Sequence, residues 1–203
     1  MPYWNRLDRD LILASASPRR RDLLRRLGFA FTVQAPEAFD EAGMIVATDV
    51  SGSIARVAAR KAQSVAARRP EALVLGSDTV VVAGGEVLGK PRDRADGRRM
   101  IGLLAGRAHT VLSSVALVCR TSGFEVTRGA ATRVVFRKPA AEEIEEYLDR
   151  SAYLDKAGAY GIQEEAMAFV ERVEGCYYNV VGLPVGATIA VFEEYLRHEG
   201  AGR

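Results

Sequence analysis

Three guanidinium groups follow a short apolar run near the start of the chain. Leu11–Ala14 is apolar enough for a buried strand, and arginines occupy positions 19–21 directly after Ser17 and Pro18. Ser17 suits a helix N-cap and Pro18 the first helical position, so the arginines stand where a helix dipole favours acidic side chains. Because helix N-termini bind anions and arginine adds bidentate donors, this stretch fits a phosphate chain. Taken alone, it fits a solvated basic helix equally well.

An aspartate interrupts a run that otherwise predicts a buried strand. Asp78 lies within Leu73–Ala83, which is rich in β-branched residues. A buried aspartate is costly unless it is paired, hydrogen-bonded or bound to metal. Asp78 is therefore either part of a structural ion pair or a catalytic or metal-binding carboxylate. We favour the second reading because perturbed carboxylates concentrate at functional sites. Gly76 is expected to let a ligand approach the backbone.

Lysine is scarce, with four lysines among 28 basic residues, so lysines near polar motifs are informative. Lys90 follows a predicted hairpin turn and can point back over the preceding strand, although a plain surface lysine is the alternative. Lys61, on a predicted helix, is either a solvated charge or a phosphate clamp. The adjacent acids Asp40 and Glu41 lie in a predicted loop and would ordinarily face solvent. Mg²⁺, however, takes carboxylate oxygens together with substrate phosphates.

The segment 155–163 combines small residues, an aromatic residue and a terminal amide, Gln163. It indicates tight backbone packing against a flat group, or simply a structural loop. Together with the acids and bases above, it fits metal-assisted attack of water on a phosphoanhydride. The chain lacks Walker A and GxGxxG motifs, and two histidines, His109 and His198, are too few for a zinc hydrolase.

Composition excludes several classes of protein. The formal net charge is only +2, which does not favour general nucleic-acid binding. The two cysteines, Cys119 and Cys176, fit no metal or redox spacing. No signal peptide or membrane helix is recognisable, so we expect a cytoplasmic protein without a membrane partner. The oligomeric state is not readable from the sequence, and a homodimer is a guess.

Strand and helix signals alternate along the chain. They predict strands at 11–14, 31–35, 73–83, 86–88, 109–120, 124–137, 169–173 and 177–181, and helices at 18–27, 53–68, 94–104, 140–148 and 184–197. The long runs 109–120 and 124–137 are expected to form an antiparallel hairpin. No linker or boundary divides the chain, so we predict a single domain, 1–203. Its fold class is α/β, with a mixed central sheet flanked by helices.

Five ordered motifs give the chain a family resemblance. They are residues 13–20 (LASASPRR), 76–80 (GSDTV), 89–93 (GKPRD), 155–163 (DKAGAYGIQ) and 179–184 (NVVGLP). In order and spacing, nearly end to end, they resemble the Maf family of nucleoside triphosphate pyrophosphatases. The resemblance implies two lobes around a cleft, as in the related inosine triphosphatases. It also implies cleavage of a nucleoside triphosphate between the α- and β-phosphates, which yields a monophosphate and pyrophosphate.

The resemblance also implies roles for particular residues. Asp78 matches the family's proposed general base, and a divalent metal, Mg²⁺ or Mn²⁺, is expected at Glu41 and Asp78. Whether Asp78 is base, metal ligand or both stays open. Ser15, Arg20, Lys61 and Lys90, like Glu41, match cleft residues that hold phosphates or metal in the family. We further expect Arg19 to bind the triphosphate together with Arg20, Lys61 and Lys90.

Three positions resemble the dTTP/UTP pyrophosphatase branch of the family: Arg19, Thr79 and Gln163. Gln163 offers both a donor and an acceptor, as the imide edge of uracil or thymine requires. A 7-methylguanine base carries positive charge and would prefer a carboxylate there. Two positions depart from the family pattern. Glu164 stands where a glycine usually follows the glutamine, and Cys176 replaces a serine.

Rival functions remain at this point. One is hydrolysis of 7-methyl-GTP by the same chemistry, and another is a non-catalytic regulatory role in septum formation. Clearance of modified pyrimidine nucleotides would fit a pocket built around an imide edge. A nucleic-acid-binding role would predict affinity that falls steeply with salt, and the near-neutral charge argues against it.

Overall fold

The computed structural model describes residues 7–201. The strands are β1 (Leu11–Ala14), β2 (Thr32–Val33), β3 (Leu73–Ala83), β4 (Glu86–Leu88), β5 (Ala108–Cys119), β6 (Phe124–Phe136) and β7 (Val170–Glu174). The α-helices are α1 (Pro18–Arg26), α2 (Val50–Ala66), α3 (Arg94–Leu104), α4 (Ala141–Arg150), α5 (Tyr177–Val181) and α6 (Val185–Ala201). No helix in this part of the chain is long and apolar enough to cross a membrane.

The strands form one mixed sheet in the order β2-β1-β3-β5-β6-β7, with β4 paired to β3. Strand β1 pairs in parallel with β2 and with β3, whereas β4 pairs antiparallel with β3 and β7 with β6. Strands β5 and β6 are neighbours joined by a short turn. They must be antiparallel, since a parallel pair needs a long crossover. The predicted α/β class with a mixed sheet and flanking helices is confirmed.

Helix α2 covers the sheet through a face of small and branched residues. Its Ala58, Ala62 and Val65 are fully buried, together with Ile12 of β1 and Val74 of β3. These residues recur at three- and four-residue spacing, which is the pattern of a helix with one buried face. Asp49 caps the helix by accepting a hydrogen bond from the Gly52 amide at 3.0 Å. The helix therefore begins three residues before the predicted start.

Two predicted strands differ from the structure. The segment 31–35 contributes only the two residues of β2. The segment 177–181, predicted as a strand from its β-branched and aromatic residues, is helix α5, so that prediction is wrong. Asn179 supplies the physical reason, because its buried amide donates to the Val111 carbonyl and to Thr132 Oγ1, each at 3.0 Å. These tertiary bonds outweigh local β propensity.

The chain divides into two compact units. The first holds the chain up to Asp78, Ser113–Ala130 and the chain from Gly182 onward. The second holds Thr79–Leu112 and Ala131–Val181. The predicted site residues are therefore divided between the two units. Six of them, from Ser15 to Asp78, lie in the first unit, and Thr79, Lys90 and Gln163 lie in the second.

Candidate active site

Strand β1 ends beside the first half of β3, within the first unit. Ala14, the last residue of β1, is the register partner of Gly76, so Ser15 and Ser77 follow at neighbouring positions. Arg20 joins the two segments, because its Nη1 donates to Ser15 Oγ at 3.3 Å and to the Ser77 carbonyl at 2.9 Å. The carboxyl end of a parallel strand, here β1, is the usual location of ligand sites in α/β sheets.

Arg20 is held at a third point, since its Nε donates to the Gly182 carbonyl at 2.9 Å. At least three of its five N–H groups thus bond to the protein. Burial lowers the pKa of Arg20, and the negative charges of Asp78 and Glu41 oppose that shift. Arginine keeps its charge at neutral pH. Arg20 is therefore a fixed positive charge beside the carboxyl end of β1.

Lys61 lies between two carboxylates in the same unit. Its Nζ is 2.7 Å from Glu41 Oε2 and 2.8 Å from Asp78 Oδ1. The lysine side chain is 8% exposed and the Asp78 side chain 11%, whereas Glu41 is about half exposed at 49%. One ammonium facing two carboxylates leaves one excess negative charge. The structural ion pair that was one alternative for Asp78 is present, with Lys61 as the partner. Lys61 also bonds to Glu41, whose carboxylate lies at the surface.

Gly76 makes this contact possible by letting helix α2 lie close to β3. A Cβ at this position would lie 2.3 Å from the Ala58 carbonyl oxygen and 2.8 Å from the Ala62 amide nitrogen. The neighbour of this backbone is therefore a helix, and the expectation that Gly76 admits a ligand is wrong. The close approach brings Lys61, on the buried face of α2, within reach of Asp78, two residues beyond Gly76.

The donor chemistry of this cluster fits a hard divalent cation. Mg²⁺ is commonly bound through one or two carboxylates and completed by water and substrate phosphates. Within residues 7–201 Lys61 is the one side chain that donates to the Asp78 carboxylate, which leaves Oδ2 open to another partner. No group of three or more His, Cys, Asp or Glu side chains in the same range could hold a metal by itself. A metal at Glu41 and Asp78 would need oxygens from a substrate.

Helix α1 begins as predicted. Ser17 is its N-cap and accepts a hydrogen bond from the Arg20 amide at 3.5 Å, and Pro18 is the first helical residue. Ser15 Oγ accepts from the Ser17 amide at 3.2 Å, which fixes the turn between strand and helix. Arg19 is half-buried on the first turn. Arg21 is exposed with its Nε 3.7 Å from Asp22, so it has the ordinary environment of a surface arginine.

In the second unit, the polar segments around Lys90 and Gln163 approach each other. The Gly158 amide donates to the Gly89 carbonyl at 2.9 Å, directly before Lys90. A Cβ on Gly158, whose φ is +67°, would lie 2.9 Å from Val81 Cγ2. Lys90 and Gln163 are both exposed, and Thr79 is half-buried. The structure therefore brings two of the predicted polar motifs together through backbone contact.

The backbone before Gln163 is held in an uncommon conformation. Ala159 has φ +61° and is fully buried, and it is the one non-glycine residue with positive φ in the described part of the chain. Its carbonyl accepts a hydrogen bond from the Tyr147 hydroxyl at 2.9 Å. The next residue, Tyr160, shares a 2.8 Å hydrogen bond with His109 Nε2. Such strain persists only where surrounding contacts enforce it.

His109 is a buried neutral anchor. Its ring lies edge-on to Tyr160 and Phe136. Burial lowers the pKa of His109 to about 4, because an imidazolium would be desolvated there. Burial also raises the pKa of Tyr160, so that hydroxyl stays protonated. These contacts give His109 a structural role in the second unit.

Two residues of the site carried no predicted role. Ser77 and Gly182 supply the carbonyls that hold Arg20, and Ser77 Oγ is a buried hydroxyl without a hydrogen-bond partner among the described residues. Both belong to quoted motifs, 76–80 and 179–184. Their part in the site comes from backbone atoms, and a side-chain pattern does not reveal it.

The comparisons with known proteins agree with this architecture. A family model described as "Maf-like protein" matches residues 10–195. The chain belongs to the Maf family. A protein of Symbiobacterium thermophilum named dTTP/UTP pyrophosphatase is 46% identical over 185 residues, 91% of this chain and 93% of that protein. A Moorella thermoacetica protein of the same name is 48% identical over 175 residues, 86% and 89% of the two chains.

One solved structure also overlaps with the chain. It is a nucleoside-triphosphatase, also titled dITP/XTP pyrophosphatase, from Mycobacterium abscessus. It is 15% identical, with a TM-score of 0.40, and the match covers 63% of this chain and 72% of that one. The Maf assignment depends on the family match and on the relatives above.

Proposed function

We propose that this Maf protein hydrolyses nucleoside triphosphates between the α- and β-phosphates, giving a nucleoside monophosphate and pyrophosphate. The observation that carries the proposal is the Lys61 ammonium between Glu41 and Asp78, in the unit where Arg20 bonds to Ser15 after β1 and to Ser77 of β3. Curated relatives that align with most of the chain are named dTTP/UTP pyrophosphatase. Positioning and electrostatics supply most of the catalysis in reactions at phosphorus, and this cluster is built for both.

Each charged group has a part to perform. Arg20 is a fixed positive charge that favours the phosphate chain near the start of α1, and Arg19 on the same turn adds a second guanidinium. Lys61 fixes the orientation of the Asp78 carboxylate by bonding to Oδ1. Asp78 Oδ2 then orients a water molecule toward the α-phosphorus or accepts its proton. Ser15 keeps the strand-to-helix turn and Arg20 in place.

We also propose that Glu41 and Asp78 hold Mg²⁺ or Mn²⁺ when the triphosphate is bound. Such an ion would neutralise charge on the phosphate oxygens and lower the pKa of a bound water. The open Asp78 oxygen and the half-exposed Glu41 carboxylate offer oxygen ligands for a cation at this place. Lys90, exposed in the second unit, is proposed to supply a further positive charge to the phosphates.

For the base, we propose a preference for dTTP and UTP, with modified pyrimidine nucleotides as further substrates. Gln163 is exposed and carries both a donor and an acceptor, which match the imide edge of thymine or uracil. Thr79 and Arg19 are the other proposed specificity positions. The names of the curated relatives support the same preference.

The test is pyrophosphate release by the wild-type protein across dTTP, UTP, CTP, GTP, 7-methyl-GTP and a 5-substituted dUTP. Each nucleotide is assayed with Mg²⁺, with Mn²⁺, and with excess EDTA. We expect release from dTTP, UTP and the 5-substituted dUTP to exceed release from CTP, GTP and 7-methyl-GTP by about tenfold in kcat/KM, the ratio that one good hydrogen bond supplies. Chelation should abolish release, and restoring the metal should restore it.

Other outcomes would change the proposal in specific ways. A preference for 7-methyl-GTP would keep the chemistry and overturn the role of Gln163. Full activity in EDTA would overturn the metal proposal. No release from any nucleotide, in folded and metal-replete protein, would overturn the enzymatic function and leave a binding role.

A further inference from the structure

The turn that presents Gln163 is closed by an ion pair with a buried lysine. Glu164 donates its amide to the Gly161 carbonyl at 3.1 Å, so residues 161–164 form a turn with Gln163 at its third position. The Glu164 carboxylate Oε2 lies 3.0 Å from Lys156 Nζ. The lysine side chain is only 3% exposed and that of Glu164 is 35% exposed.

Lys156 runs directly beneath this turn. A Cβ at Gly161 would lie 2.7 Å from Lys156 Cε, so the lysine stem and the turn backbone are in close contact. The ammonium also bonds to the carbonyl of Ala152 and lies 2.9 Å from Asp155 Oδ1. A buried ammonium needs compensating partners, and these partners hold the Lys156 side chain in one position. The ion pair with Glu164 fixes the end of the turn to this lysine.

The two sides of Gln163 are therefore fixed by different contacts. Before it, Ala159 and Tyr160 are held by Tyr147 and His109 through hydrogen bonds. After it, the Glu164 carboxylate is held by Lys156. Gln163 itself is exposed. The direction of its side-chain amide therefore depends on how rigidly the backbone of this turn is held.

We propose that Glu164 is a positioning residue for base selection. Its ion pair with Lys156 sets the direction of the Gln163 amide. This inference rests on the proposed function, in which Gln163 binds the imide edge of the pyrimidine.

The test compares Glu164→Gln and Glu164→Asp with the matched control Glu165→Gln. Glu165 is the adjacent carboxylate, and it accepts a hydrogen bond from Ser151 Oγ at 2.9 Å. We measure kcat and KM for dTTP and GTP, and the Kd of dTMP without metal by calorimetry. For Glu164→Gln we expect about fivefold increases in dTTP KM and dTMP Kd, with kcat within about twofold and GTP KM unchanged. Glu164→Asp, which keeps the charge, should recover part of the loss.

Two results would overturn the inference. One is an equal dTTP KM in Glu164→Gln and Glu165→Gln. The other is an equal loss on dTTP and GTP, with a lower melting temperature, which is what a merely structural contact produces. Failure of the proposed function is distinguishable because it shows in the wild-type protein. Wild-type protein that releases no pyrophosphate from dTTP or UTP would overturn that function and this inference together.

Discussion

Each unit of the molecule contains a buried lysine between two carboxylates, and the two arrangements differ in how they are built. Lys61 projects from helix α2 to partners 17 and 20 residues away, one of them on strand β3. Lys156 lies among short turns, with partners one and eight residues away at Asp155 and Glu164. The first pair joins rigid elements, and the second fixes the shape of a local segment.

The comparison shows that a buried ion pair does not by itself identify a catalytic centre. What separates Lys61 from Lys156 is the surroundings. Asp78 has a carboxylate oxygen that no described residue contacts, Glu41 reaches the surface, and Arg20 holds a positive charge beside the carboxyl end of β1. Around Lys156 the neighbouring contacts are a strained backbone and hydrogen bonds between neutral groups. We therefore propose phosphate chemistry for the first region and base selection for the second.

Replacing each lysine by methionine tests this division most strongly. Lys61→Met removes the group that aims Asp78, and we expect kcat for dTTP to fall by a factor of about 100 to 1000, as for loss of one preorganised charged donor. Lys156→Met should mainly raise KM for dTTP and UTP. Steady-state kinetics with both variants, alongside melting temperatures, measure the difference. Equal effects on kcat would remove the distinction between the two regions.

Gly76→Ala tests whether close packing of α2 positions Lys61. The added methyl group would meet helix backbone at 2.3 Å, so strand or helix must shift. We expect the free energy of unfolding to fall by about 3 kcal/mol, at the upper end of overpacking costs, and activity to fall with it. Urea unfolding measures the loss. Gly102→Ala, in helix α3 where nothing lies within 4 Å of the new Cβ, is the control and should be neutral or stabilising.

The buried, neutral state of His109 in the second unit predicts how the free energy of unfolding depends on pH. Burial lowers the pKa of His109 from 6.5 to about 4. The unfolded chain therefore binds a proton in this interval that the folded chain does not, so stability falls as pH drops below about 6.5. Between pH 7 and pH 5 this one group should cost about 2 kcal/mol of unfolding free energy. The unfolding free energy of His109→Phe should fall much less over that interval. That of His198→Gln, a change at an exposed histidine, should fall as much as in the wild-type protein. Identical pH dependence in all three proteins would contradict the assignment.

Local signals predicted much of the fold. Strand β3 and its hairpin to β4 have their predicted bounds, because a β-branched run ends at Gly84 and Gly85, which both take positive φ. Helix α3 lies as predicted between its cap at Asp93 and the positive-φ Gly106. Where tertiary contacts decide, local signals fail, and α5 is the case in which Asn179 overrode β propensity.

The residues of the candidate site could be named from the sequence, and the contacts between them could not. Residue types and motifs singled out Lys61, Glu41 and Asp78, but their mutual contacts depend on how α2 packs against Gly76. The same holds for Arg20, whose partners are backbone carbonyls. The Lys156–Glu164 ion pair joins a residue of a quoted motif to one noted only as a departure from the family pattern, and nothing in the sequence indicated that they pair. Distances of this kind come from packing and cannot be read from spacing along the chain.

The most direct test of the central claim is the kcat of Asp78→Asn for pyrophosphate release from dTTP, measured beside Asp96→Asn. Asp96 is an equally buried aspartate of the second unit, where it accepts a hydrogen bond from the Arg92 amide at 3.1 Å. We expect Asp78→Asn to lose about 1000-fold in kcat or more while still folding, the scale of a lost general base. Asp96→Asn should lose stability but keep kcat within a few-fold. An Asp78→Asn protein with wild-type turnover would contradict the assignment of the catalytic centre.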